Sequence, residues 1–122
     1  MPNKLFASRI KKHVDGEIAL ASVSLETNDV TTAFHHLERA HVLGQAITLE
    51  HTRVHWLMLK LGWKKKDWRE IFGQMFRLVG ASTKTPLGIY PAGNTGGANV
   101  SPFKPMPISA DLKEKIREAE VE

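Results

Sequence analysis

The chain has no cysteine among its 122 residues. That excludes disulfides, thiolate catalysis and cysteine-based zinc fingers, and it fits a reducing compartment. No apolar run approaches the roughly 20 residues that a membrane span needs. The first twenty residues lack a continuous apolar core, so no secretory signal is expected. Proline is scarce outside residues 81–108, which hold five of the six. A soluble, cytoplasmic, single-domain chain is the expectation, long enough to build a core unaided. Net charge is only +4, with a pI near 9.5, and acidic residues are interleaved with basic ones. That is a weak case for nucleic acid.

What is present is helical periodicity. Ala7, Ile10, Val14, Ile18, Ala21 and Leu25 recur at three- and four-residue steps and predict a helix from Asn3 to Leu25. Asn28 suits a left-handed turn and Asp29 an N-cap. A second helix is expected from Val30 to Leu43, with Gly44 as its stop. A third runs from Ala46 to Leu61, ended by Gly62. A fourth, capped by Asp67, runs from Trp68 to Val79 and is closed by Gly80. Its expected buried face is Trp68, Ile71, Phe72, Met75, Phe76 and Val79. Lys64–Lys66 form a basic turn between Trp63, expected half-buried, and Trp68, expected buried.

Composition changes at Ala81. Residues 81–108 hold four of the nine glycines besides the prolines, which excludes a long helix. Their Leu87, Ile89, Tyr90, Phe103 and Ile108 argue for an ordered extended segment rather than a disordered tail. Ser109 then caps a short helix from Ala110 to Glu120. The fold class expected is all-α: four antiparallel helices in two hairpins over residues 1–80, an extended wrap over 81–108, and a C-terminal helix within 109–122.

The unusual stretch is Ala33 to His55, which holds five of the six histidines. With Leu37 at the centre of the second helix's buried face, His41 lies about 40° away. With Met58 at the centre of the third helix's face, His51 lies about 20° away and His55 about 60°. His35 points to solvent and His36 falls off the face. His51 and His55 form an i, i+4 pair able to share one metal ion. Glu38 and His41 form the i, i+3 pair that helical-bundle metal sites use. A site of Glu38, His41, His51 and His55 is the expectation, suited to zinc, cobalt, nickel, cadmium or iron. Glu17, His13 and Gln45 are candidate supporting residues. The alternative is a buried polar network in which the histidines bond to Glu38, Glu17 or backbone carbonyls.

Asn94-Thr95-Gly96-Gly97 lacks the lysine of a phosphate loop. It reads as a tight turn, or as a ligand loop closing over the histidines. No catalytic triad or paired-carboxylate spacing stands out, so a binding role is favoured over an enzyme.

Ala33, Leu37 and Ala40 sit where a tetratricopeptide-type hairpin places small, large and small residues, over about Glu17 to Gly44. That resemblance implies a protein-interaction module with structural histidines as the second functional reading. The strings HLERAHVLGQ, HTRVHWLML, GNTGGANV and PMPI are together similar to a family of small bacterial helical proteins known only as a domain of unknown function, from about Glu17 to Leu112. That resemblance implies a neighbourhood of heavy-metal resistance and cation-efflux genes, and hence metal handling.

Overall fold

A computed structural model describes residues 3–121, so the expected segment limits at residues 1 and 122 lie outside the described residues. Among the described residues the chain forms five α-helices and no strand: α1 (Lys4–Glu26), α2 (Val30–Gly44), α3 (Thr48–Lys65), α4 (Trp68–Lys84) and α5 (Ala110–Val121). A single 3₁₀ turn, Thr85–Leu87, follows α4. No helix among the described residues is long and apolar enough to cross a membrane.

The caps follow from local chemistry. Asp29 accepts from the Thr32 amide at 3.1 Å and Asp67 from the Glu70 amide at 3.1 Å, each satisfying a first-turn N–H that has no partner within its helix. Asn28 takes the left-handed conformation, with φ 59°. Ser109 directly precedes α5: its carbonyl accepts from the Lys113 amide at 2.9 Å and its hydroxyl donates to Asp111 Oδ1.

Two expected helix stops are not stops. α3 continues through Gly62 to Lys65, and a left-handed Lys66 ends it. Gly62 serves packing instead: a Cβ there would meet Glu70 Cγ at 3.2 Å, so the glycine lets α3 and α4 approach. α4 continues through Gly80 to Lys84. A single glycine costs a helix only about 1 kcal/mol, which neighbouring contacts can offset.

α1 packs chiefly on α2, α3 on α4, α2 on α3, and α5 on α1 and α2. The apolar core joins Ile10 and Val14 of α1, Leu37 and Ala40 of α2, Val54 and Met58 of α3, and Leu112 of α5. Fully burying a side chain such as Met58 contributes about 1.5–3 kcal/mol.

α4 contributes almost nothing to that core, and its orientation corrects the sequence expectation. Trp68, Phe72, Met75, Phe76 and Val79 face solvent, with Phe72 65% exposed. Trp63 and Trp68 are both exposed and meet edge to face, ring centroids 6.0 Å apart. Of the expected face only Ile71 is buried. The inward side carries Glu70, Gln74, Arg77 and Ala81 instead. These recur at steps of four, three and four, which is as regular a helical stripe as the apolar one. The physical reason is what α4 packs against. Its inner side meets polar atoms of α3 and of the segment after Leu87, and buried polar groups need hydrogen-bond partners more than apolar ones need burial.

Residues 88–109 contain no helix. Their backbone is tied down by side chains from α2, α4 and the start of the α2–α3 turn. Gln45 Nε2 donates to the Pro91 carbonyl at 2.9 Å, and Gln45 Oε1 accepts from the Gly93 amide at 2.7 Å. Glu70 accepts from the Ala98 amide at 3.1 Å, and Arg77 Nη2 donates to the Val100 carbonyl at 2.6 Å.

Candidate metal centre

The α2–α3 turn fixes the first geometric fact. Gly44 ends α2 where a Cβ would stand 2.9 Å from Glu50 Cβ and 3.2 Å from Val14 Cγ2, so only glycine lets the chain turn this tightly. His41, one turn before it, is thereby brought back beside His51 and His55 in the first two turns of α3. All three are buried. One nitrogen from each lies within 4.8 Å of the others. His41 Nε2 is 3.0 Å from His51 Nε2 and 3.0 Å from His55 Nε2.

The other ring nitrogens decide what those contacts are. His41 Nδ1 is 2.6 Å from the Asn94 carbonyl, which can only accept, so Nδ1 carries the hydrogen. His55 Nδ1 is 2.6 Å from Gln74 Oε1. The Gln74 amide is itself oriented by its nitrogen, which donates to Glu70 Oε2 at 2.6 Å and to the Gly96 carbonyl at 2.7 Å. His55 Nδ1 therefore also carries the hydrogen. His51 Nδ1 lies 2.7 Å from Thr85 Oγ1, a hydroxyl that suits either tautomer. In their neutral forms His41 and His55 therefore point unprotonated Nε2 lone pairs at each other.

A proton between them would relieve this, but the site opposes it. Burial pushes His41 well below the usual histidine range, and the neighbouring imidazoles add to that. Burial, with the His55 charge second, lowers His51 to about 3. Burial lowers His55 to about 4, the Gln74 bond opposing and the Arg77 charge reinforcing the shift. At neutral pH the cluster is three neutral imidazoles, with the Nε2 lone pairs of His41 and His55 converging.

The Gly-rich loop closes over this cluster. Asn94 is buried and holds the loop through its own side chain: Nδ2 donates to the Ser101 and Lys104 carbonyls, and Oδ1 accepts from the Gly96 amide at 2.9 Å. Gly96, at φ 86°, lies so close to His41 that a Cβ would stand 2.6 Å from ring Cδ2. Thr95 is half-buried and Gly97 buried, against the Phe34 ring.

The other candidates stand elsewhere. Glu38 does not join the histidine group; its carboxylate faces His35, Oε1 3.7 Å from Nδ1, and burial raises its pKa. The i, i+3 spacing put it on α2 beside His41, but it lies toward the outer edge of that face. Glu17 is buried and bonds His36 Nδ1 at 2.8 Å and Arg39 Nε at 2.9 Å. His13 is half-buried on α1 and is not part of the cluster. Gln45 bonds the loop backbone, not a histidine.

Sequence reasoning missed Gln74 and Thr85, which orient His55 and His51, and missed Glu70 behind Gln74. A signal existed. Glu70, Gln74 and Arg77 form a polar i, i+4, i+7 stripe about 200° around the helix from the apolar one.

Residues 8–116 match the family described as "Protein of unknown function (DUF3703)", and the chain belongs to that family. No curated protein and no solved structure matches it.

Proposed function

We propose that the protein binds a divalent transition-metal ion through the Nε2 atoms of His41, His51 and His55, as a metal-binding or metal-handling accessory protein. One observation carries this reading: the His41–His55 contact joins two acceptors whose only hydrogens are spent elsewhere, in a setting that disfavours a proton. A metal cation is the remaining species that both lone pairs can share. The donor set supports a borderline ion, with zinc or cobalt foremost and nickel, iron or cadmium as alternatives. Asn94, Gln74 and Thr85 would act as the outer partners that hold ligand rings in one orientation. Glu38 is not in the proposed ligand set.

The histidines link α2 and α3, and their outer partners lie on α4, the 3₁₀ turn and the Gly-rich loop. We read the bundle as two hairpins clasped by the 81–108 segment, with the metal as the clasp. Calorimetric titration of metal-free protein with zinc tests this. Stoichiometric binding is expected, and its loss in the His41→Ala, His51→Ala, His55→Ala triple variant. Equal, weak binding by both proteins would remove the proposal.

The second reading, a tetratricopeptide-like interaction module with structural histidines, is favoured by the exposed apolar stripe on α4. It predicts that the triple variant loses stability and that added metal does not change the stability of the parent.

A further inference from the structure

A cavity of about 310 Å³ opens onto the three histidines. That is at the lower end of the range for small-molecule sites. Its lining holds two cationic side chains, Arg77 and Lys84, and no carboxylate. Arg77 is buried. It spends one N–H on the Gly73 carbonyl and one on the Val100 carbonyl, and its Nε has no partner. Glu70 acts on it only through its charge, since that carboxylate is taken by Gln74 and the Ala98 amide. Among the described residues neither Arg77 nor Lys84 has an ion-pair partner. A buried guanidinium with a spare donor and no carboxylate in contact is costly, and a bound anion offsets that cost.

The charge balance points the same way. Three neutral imidazoles bring no negative charge to a divalent cation, and they leave it short of four ligands. The ion and both cations would then face one cavity with nothing of opposite sign on its wall. Thr85 and Asn94 are its other polar side chains, and much of the rest of the wall is apolar or aromatic, with Phe76, Ile89, Tyr90, Pro102 and Phe103. Phe76 and Phe103 meet edge to face at 6.3 Å.

We infer that this cavity binds a small organic carboxylate, its charged end between the metal-bearing histidines and Arg77 and its apolar body against Phe76 and Phe103. The inference rests on the metal reading for one of its two anchors. Lys84, exposed at the rim, attracts the anion, and Arg77 holds it. An inorganic oxyanion would satisfy the charges but would leave the aromatic mouth unused.

The test uses full-length protein loaded with one equivalent of cobalt, whose visible band reports first on the ion and then on its added ligand. Benzoate, acetate and inorganic phosphate are titrated separately. Benzoate is expected to change the band saturably and to bind about tenfold or more tightly than acetate. Arg77→Gln is expected to weaken benzoate about tenfold or more while the cobalt band still forms. Lys84→Gln, at an exposed position outside the packed interior, is expected to weaken benzoate by a smaller factor and serves if Arg77→Gln does not fold. A cobalt band that benzoate never perturbs overturns the carboxylate site and leaves the metal site standing. Phosphate binding tighter than benzoate overturns the organic ligand in favour of an oxyanion. Unchanged benzoate affinity in the folded variants overturns the roles of both cations. Failure of the cobalt band to form overturns the metal reading and this inference together.

Discussion

His41 Nε2 and His55 Nε2 face each other across 3.0 Å, and each ring donates its one neutral-state hydrogen from the opposite nitrogen, to Asn94 and to Gln74 respectively. Two lone pairs so placed repel, and the bonds to Asn94 and Gln74 hold the rings in place against that repulsion. The network outside the triad therefore sets its chemistry, and most of the consequences can be tested outside the triad.

Gln74 is the clearest case. It is fully buried and joins His55, Glu70 and the Gly96 carbonyl. Gln74→Ala leaves three buried polar groups without their partner and is expected to destabilise the fold by about 2 kcal/mol or more, read from urea unfolding. Zinc affinity, measured by competition with a chromophoric chelator, is expected to fall about 10–100-fold. Unchanged affinity would mean that His55 does not need this partner.

Gly96→Ala tests the loop. A methyl group there collides with the His41 ring and takes a left-handed backbone angle that alanine disfavours. A loss of about 2 kcal/mol or more is expected, together with weaker zinc binding. A variant as stable as the parent would show that the loop stands away from His41 in solution.

The metal-free protein should weaken in mild acid. Histidines in the unfolded chain titrate near 6.5, while in the fold His55 is lowered to about 4 and His51 to about 3. Folded values below unfolded ones mean that the unfolded state binds more protons in between. The stability is fully present above about pH 6.5 and is lost as pH falls from there toward about 3. Each such histidine contributes a slope of about 1.4 kcal/mol per pH unit. Urea midpoints should therefore fall steadily below about pH 6.5. A flat profile would contradict buried, neutral imidazoles.

Adjacent residues on α4 should respond oppositely. Ile71→Ala removes a buried side chain and is expected to cost about 2–4 kcal/mol. Phe72→Ala, on the solvent side, is expected to stay within about 0.5 kcal/mol. Thermal denaturation of the two variants decides it, and the reverse order would restore the apolar stripe to the core.

That contrast also marks how far the sequence could be read. The helices were legible because two of their N-caps and the core faces of α1, α2 and α3 are local properties: Asp29, Asp67, Leu37 and Met58 stand where periodicity and capping chemistry put them. His41, His51 and His55 were legible for the same reason, since angle around a helix follows from number. α4 was not. Its two stripes are equally periodic, and choosing which one faces inward requires knowing that its neighbours present His55 and the backbone near Ala98. Glu38 failed on a related point. It shares a helix with His41, but reaching the cluster depends on where α3 crosses, not on spacing. Thr85 and Gln74 lie 34 and 19 residues from the histidines they orient, beyond the reach of any local pattern.

The most direct measurement is a long-range proton–nitrogen spectrum of the histidine rings, recorded near neutral pH before and after one equivalent of zinc. In the metal-free protein His41 and His55 are predicted to be neutral, with the hydrogen on Nδ1. Zinc is predicted to shift Nε2 of His41, His51 and His55 together and to leave His13, His35 and His36 unmoved. Shifts at those other three rings, or none at the triad, would contradict a metal centre at this site.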